Sequence, residues 1–167
     1  MTDYEMGGEA LNDPSSGLQV KVWTCTLVGD AVTVTASGVP ATALFELPGI
    51  TSVSLSFDQN MRPAVAFIQE GELKLWWFDS AEGEQVFTTF DGEQPKIRLD
   101  DKRHTQNGTS DLLLAYVRHD GLYFREQRDR FLNEYFLADI TGYTFRQMGM
   151  STINRMQFAF DPIPVEP

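Results

Sequence analysis

The sequence predicts an all-β protein of three four-stranded antiparallel sheets, arranged like propeller blades or like a β-prism or trefoil. Short segments alternate apolar and polar residues, which is the two-residue period of a strand. Four such segments between residues 51 and 90 recur 45 residues later, counted from Ile50 to Pro95, within the range of blade repeats. Aromatic residues make up 12% of the chain, a content that suits strands.

The first complete repeat unit shows how each strand is predicted. In SVSLSFD, Val53, Leu55 and Phe57 share one face, and a turn follows. PAVAFI begins at Pro63, and proline is tolerated at the first position of a strand although it has no backbone N–H to donate. A turn at Glu70–Gly71 then leads into ELKLWWFDS. QVFTTF is the fourth strand and ends before Asp91.

The units on either side follow the same rhythm. The later unit has PKIRLDD, LLLAYVR, LYFREQRD and NEYFLA as strands, with a hairpin turn at 119–121 and a polar loop at 102–110. The earlier unit has three strands, LQVKVWTCTL, AVTVTAS and ATALFEL. Residues 140–151 fit either a loop or one helical turn.

The last predicted strand, NRMQFAFDP, resembles the opening strand of a unit. We therefore expect the strand around Phe158 to pair with the strands of the first fifty residues and to close the ring. Asp58, Asp100 and Asp161 each follow such an opening strand and are the repeat-related turn positions. The sequence leaves open whether the three sheets close within one chain or between chains.

The chain divides into an arm and one domain. Residues 1–17 contain Gly7–Gly8 and Pro14 and are expected to form a flexible or partner-ordered N-terminal arm. Residues 18–167 are expected to form a single all-β domain. Cys25 is the single cysteine, so the chain has neither an internal disulfide nor a thiolate zinc site. No apolar run reaches the ~20 residues that span a bilayer, so membrane insertion is not expected.

The net charge of −11 is unevenly distributed. Residues 96–130 carry eight of the 13 basic side chains, interleaved with six acidic ones. Ion pairing within the chain is the expected role of these cations, and no nucleic-acid partner is expected because phosphate would repel so acidic a protein.

The sequence shows no organised catalytic, cofactor or metal site. It lacks a nucleophile elbow, a His-Glu-x-x-His motif and a phosphate-binding glycine loop, so we expect no catalytic residue, no cofactor and no metal. A glycosidase stays an alternative because it needs only two carboxylates about 5 to 10 Å apart. A lectin-like site is the other alternative, since strand aromatics can stack on sugars, although core packing is their commoner role. The aromatics in question are Trp76, Trp77, Tyr116, Tyr123 and Tyr135.

The string SFDQNMRPAVAF, followed by LDDKR, DLLLAYVR, GLYFREQRDRF, EYFLA and NRMQFAF, resembles a family of small virion proteins of tailed bacteriophages. The resemblance runs from about Leu18 to Phe160. It implies a particle component of the tail tip or fibre, made in the bacterial cytoplasm, which acts in assembly and host adsorption. It carries no catalytic residues.

The expected partners are other tail proteins, further copies of the chain and a glycan or protein receptor on the host surface. The longest polar insertion in a repeat is the expected contact region. Its candidate contact residues are Lys102, Arg103, His104, Gln106 and Asn107.

Overall fold

The fold was obtained as a computed structural model, which describes residues 6–10, 21–100, 110–150 and 155–164. These residues form an all-β structure whose one helical element is a 3-10 turn at Gln127–Asp129. The strands are β1 Met6–Ala10, β2 Lys21–Val28, β3 Ala31–Ala36, β4 Val39–Glu46, β5 Ile50–Phe57, β6 Pro63–Gln69, β7 Glu72–Asp79, β8 Glu84–Phe90, β9 Glu93–Leu99, β10 Leu112–Arg118, β11 Gly121–Glu126, β12 Tyr135–Asp139, β13 Tyr143–Met150 and β14 Met156–Pro162.

The strands form three four-stranded sheets and one two-stranded sheet, all antiparallel. Strands β1 to β4 form the first sheet, β5 to β8 the second and β9 to β12 the third, each in chain order. Strands β13 and β14 form the fourth sheet, which we call the C-terminal hairpin. The predicted all-β class and the strand alternation are confirmed, because every predicted strand segment overlaps one of these strands.

The predicted closure between the two chain ends is wrong. Strand β14 pairs with β13, with Phe160 opposite Phe145 and Phe158 opposite Met148. The first sheet takes its fourth strand from Met6–Ala10, within the segment predicted to be an arm. A short connection makes the β13–β14 pairing favourable, because loop-closure entropy costs less for neighbouring segments than for distant ones.

Two smaller expectations change with this pairing. Residues 140–151, predicted as a loop or a helical turn, contain strand β13. Asp58 and Asp100 follow β5 and β9 as predicted, whereas Asp161 lies inside β14 and is not a turn position.

The sheets stack face to face, and an apolar cluster fills each space between them. Cys25, Val32 and Val34 of the first sheet meet Val53, Leu55 and Phe67 of the second. Leu73, Leu75 and Trp77 of the second sheet meet Ile97, Leu114 and Tyr116 of the third. Ala115, Val117 and Leu122 of the third sheet meet Phe145 and Met148 of the hairpin. The opening strands β1, β5, β9 and β13 carry much of the contact between successive sheets, as first strands do in stacked blades.

The connections between strands fall on two opposite edges of the stack. The turns after β5 and β7, the loop after β9 and the segment 127–134 after β11 lie on one edge, which we call the cleft edge. The hairpin turns after β6 and β10 lie on the other edge. The described residues contain no helix that is long and apolar enough to cross a membrane.

Candidate functional site

A polar cleft opens at the cleft edge, between the second and third sheets. Its volume is about 310 Å³. Four segments line it, namely the turn after β5, the end of β7, the last residues of the loop after β9, and the start of the 127–134 segment. Because the four segments come from different parts of the second and third sheets, the cleft brings together side chains that are far apart in sequence.

Asp58 organises the turn on one wall of the cleft. Its Oδ1 accepts hydrogen bonds from the backbone N–H groups of Asn60 at 2.8 Å and Arg62 at 2.9 Å. The Asp58 N–H also donates to the Arg62 carbonyl, which closes the turn. The carboxylate is buried and engaged by two backbone donors, which is the strand-ending role expected of this position.

The loop that contains the predicted contact residues opens from the same place. Asp100 N–H donates to the Asp111 carbonyl at 2.8 Å, and Asp111 N–H donates to Asp100 Oδ1 at 2.9 Å. Ser110 N–H donates to Gln59 Oε1 at 3.3 Å, which ties the loop base to the turn after β5. Lys102, Arg103, His104, Gln106 and Asn107 themselves lie outside the described residues. The described parts of the chain on either side of residues 101–109 therefore end beside the cleft, at Asp100 and Ser110.

An ion pair across the cleft joins the second sheet to the third. Arg130 Nη2 lies 2.5 Å from Asp79 Oδ2 and 3.1 Å from Glu82 Oε1. Burial alone would raise the pKa of Asp79, but hydrogen bonds from the Ala81 N–H and from Arg130 outweigh it and lower the pKa below its ordinary value. Asp79 is therefore an ionised anchor at neutral pH.

Two further arginines line the cleft. The guanidinium of Arg62 lies 3.7 Å from the centre of the Phe78 ring, a cation–π contact. Arg128 bonds Glu126, while its side chain stays 58% exposed. The lining of the cleft thus balances three aspartates with three arginines, and the side chain of Arg128 is exposed to solvent while it pairs with Glu126.

A second surface adjoins the cleft along the chain. Leu132, Tyr135, Phe136 and Leu137 are 75%, 41%, 61% and 39% exposed, and we call them the β12 apolar edge. β12 is an edge strand of the third sheet and exposes apolar side chains on both faces, with Tyr135 against Phe124 and Phe136 against Tyr123. Several exposed apolar side chains along one edge indicate a binding surface.

A buried polar network holds this edge in place. Arg125 donates from Nε to the Tyr116 hydroxyl at 2.7 Å and from Nη1 to the carbonyls of Phe131 and Leu132, each at 2.9 Å. Glu134 accepts from Arg118 at 2.6 Å, from Arg125 at 3.2 Å and from the Tyr116 hydroxyl. Burial and the bond to Glu134 raise the pKa of Tyr116 to about 12 against the opposing effect of Arg125, so its hydroxyl stays protonated. The 131–134 backbone is thereby fixed to the third sheet.

The residues that the sequence suggested for binding differ in burial and in ion pairing. Trp77 and Tyr116 are buried in the core, which rules out sugar stacking on their rings. Trp76 and Tyr123 are partly buried and pack against apolar clusters, so of the five aromatics Tyr135 is the exposed one. For four of the eight basic residues at 96–130 the predicted ion pairing is confirmed, namely for Arg118, Arg125, Arg128 and Arg130.

Other chemistry is limited in the part of the chain that the structure covers. No group of three His, Cys, Asp or Glu residues there is arranged to hold a metal ion. Burial raises the pKa of the Cys25 thiol to about 12, so this residue is not a thiolate nucleophile near neutral pH.

Sequence reasoning considered Arg125, Gln127 and Arg128 for an anionic sugar site, with ion pairing as the preferred role, but it did not predict the conformation of the segment 127–134. Its role depends on left-handed backbone at Arg130 and Phe131, with φ of 59° at each, and neither residue type signals that conformation. The available signal was the run LNEYFL, which is too apolar for a loop and too long for the strand that follows.

Comparison with protein-family models, with curated proteins and with solved structures finds no match to this chain.

Proposed function

We propose that this protein is a structural component of a bacteriophage tail, in the tip or fibre region, and that it acts in assembly and host adsorption by binding. The observation that carries the proposal is the β12 apolar edge, where four large apolar side chains are exposed and Arg125 bonds the backbone carbonyls just before the strand. Preorganised apolar surface favours protein association, since little entropy is lost when it is covered.

The sequence resemblance to small phage virion proteins supplies the setting. Stacked sheets with exposed connections suit a particle component, because they offer rigid walls and variable loops. We place the protein in the virion, with neighbouring tail proteins and other copies of itself as partners. The blade-like sheets are the repeated units of a ring that is completed between chains.

The state of the buried acids supports binding rather than catalysis. Asp58 is held by two backbone N–H groups and Asp79 by Arg130 and the Ala81 N–H. A glycosidase requires one carboxyl group that stays protonated near neutral pH, and the environment of Asp79 acts in the opposite direction.

The polar cleft favours glycan binding as a second candidate function. Arg128, which pairs with Glu126 but has an exposed side chain, lines the cleft together with Ser110 and Asp111, and an anionic sugar could be held there. A glycan array probed with the wild type and with Arg128→Ala tests this candidate, since a cleft site requires binding that the substitution removes.

The proposed function is tested on purified phage particles. Mass spectrometry is expected to detect the protein in the particles, and immunogold labelling is expected to place it on the tail. The double variant Leu132→Ser, Phe136→Ser is expected to fold but to enter particles poorly, because it removes apolar contact area. Val28→Ser, which changes a 63% exposed side chain on the first sheet, is the matched control. Absence of the protein from particles, or steady turnover of host glycan by the isolated protein, contradicts the proposal.

A further inference from the structure

The C-terminal hairpin has half the strands of every other sheet. Among the described residues β14 has one strand neighbour, β13, and its other edge is unpaired. An unpaired edge strand presents a row of backbone N–H and C=O groups that can bond to an added strand.

The hairpin is firmly fixed to the third sheet, so this edge has a defined position. Arg98 Nε donates to the Met148 carbonyl at 3.0 Å, and the Phe145 N–H donates to Gln94 Oε1 at 2.7 Å. On β14, the half-buried residues Met156, Phe158 and Phe160 pack toward the third sheet. The residues between them, Gln157, Ala159 and Asp161, are exposed.

The third sheet continues beyond the hairpin with apolar surface on the same face. Phe124 on β11 packs against the cluster under the hairpin, and it stacks on Tyr135 of β12 with ring centres 4.9 Å apart. Tyr135 is 41% exposed. By contrast, Leu73 and Leu75 on β7, the third strand of the second sheet, are fully buried against the four-stranded sheet beside them.

We propose that the free edge of β14 and the Phe124–Tyr135 surface together form a docking site for an extended strand of a partner protein. The strand pairs with β14 through its backbone and directs alternate apolar side chains onto Phe124 and Tyr135, which is the strand-addition mode of recognition. The inference rests on the proposed function only in that an assembly supplies the partner.

The geometry selects this occupant over a second copy of the hairpin. In a second copy the apolar face of the hairpin is already covered by its own third sheet. Antiparallel pairing of two β14 edges would direct both third sheets to the same side, where they compete for one space. A single strand with a polar outer face meets no such obstacle.

The test links a donor strand to the full chain through a Gly/Ser linker after Pro167, so that a high local concentration favours docking. The donor copies Glu72–Asp79 but has threonine in place of Trp76 and Phe78, which keeps its outer face polar. The control donor also has serine in place of the three residues Leu73, Leu75 and Trp77. Hydrogen exchange of the β14 amides is measured for both proteins and for the unlinked chain.

We expect the apolar donor to slow exchange of the β14 amides by about tenfold or more, as newly bonded edge amides do. We expect the serine donor to have little effect and Tyr135→Ser to reduce the protection, with Val28→Ser as the control that leaves it unchanged. No protection by the apolar donor overturns the proposal, and equal protection by both donors overturns the apolar part of the site. A protein missing from phage particles would contradict the proposed function while leaving this result intact.

Discussion

Arg125 connects more of the candidate surface than any other single side chain named above. It bonds the Tyr116 hydroxyl, the carboxylate of Glu134 and two backbone carbonyls of the segment that leads to β12. Its guanidinium also lies 4.9 Å from the centre of the Phe90 ring. Because each of these groups is at least partly withdrawn from water, losing the guanidinium would leave several polar atoms without a partner.

Replacing Arg125 by methionine should therefore lower the free energy of unfolding by roughly 2 to 4 kcal/mol, since it breaks a partly buried charged network on one side. Chemical denaturation followed by tryptophan fluorescence measures the change. Arg146→Met is the matched control, because Arg146 is 66% exposed and lies 3.5 Å from Asp161. The control should change stability by less than about 0.5 kcal/mol. Equal effects of the two variants would contradict the structural role assigned to Arg125.

The ionisation of Asp79 makes the stability of the fold depend on pH. The pKa of Asp79 is lowered in the folded protein. The ion pair of Asp79 therefore contributes its full stabilisation at pH values above the unfolded pKa of about 3.9, and this stabilisation is lost as the pH falls through the folded pKa. The difference in unfolding free energy between the wild type and Asp79→Asn should be constant near neutral pH and should shrink below about pH 4. Asp139, whose pKa is lowered by hydrogen bonds from Thr141, titrates in both proteins and cancels in this difference. A difference that grows on acidification is the contrary result.

At the scale of strands and sheets, alternation was a reliable guide to where the strands lie. The alternating residues Val53, Leu55 and Phe57 are buried, and the predicted bounds of β5 are close to those observed. Alternation did not predict that Ser54 and Ser56, on the other face of β5, are buried as well. Two strands were beyond such reasoning. Strand β1, with the sequence MGGEA, has no alternation, and β13 carries a register shift between Phe145 and Gln147 that disturbs its pattern.

The wrong pairing of β14 has the same origin. Its apolar face resembles that of an opening strand, but alternation specifies which face is buried and not which strand is the neighbour.

The candidate site was only partly predictable for a related reason. The sequence located the loop after β9, whereas the ion pairs at 2.5 to 3.2 Å that build the cleft and the β12 edge join residues up to 51 positions apart.

The connection between the second and third sheets depends on a close backbone approach at Gly92. A Cβ atom at this position would lie 2.5 Å from Tyr116 Cδ2 and 3.2 Å from the Val117 carbonyl oxygen. Gly92→Ala should therefore lower the unfolding free energy by about 2 to 3 kcal/mol, the usual cost of forcing an atom into a packed core. Thermal denaturation measures it.

The control for that variant is Gly83→Ala, which also has a positive φ, 76°, but no atom within 4 Å of the added methyl group. Its cost should be near 1 kcal/mol, from the backbone alone. If the two variants were equally stable, the close packing of the β8–β9 connection on Tyr116 would be wrong.

At the scale of the whole molecule, successive sheets are joined by apolar clusters while their connections gather on two edges. The cleft edge holds three features, namely the cleft itself, the paired residues Asp100 and Asp111, and the segment that leads to the β12 apolar edge. With a net charge of −11, copies of the chain repel one another at long range, so assembly requires a local contact strong enough to outweigh that repulsion. The β12 apolar edge is the surface we assign to that contact.

A cryo-EM map of the intact phage tail is the decisive measurement for the proposed function. We predict density for three stacked four-stranded sheets at the tail tip or fibre, with the cleft edge and residues 132–137 against a neighbouring protein or the receptor. A tail map without such density, or one in which residues 132–137 face solvent and the opposite edge makes the contacts, would contradict it.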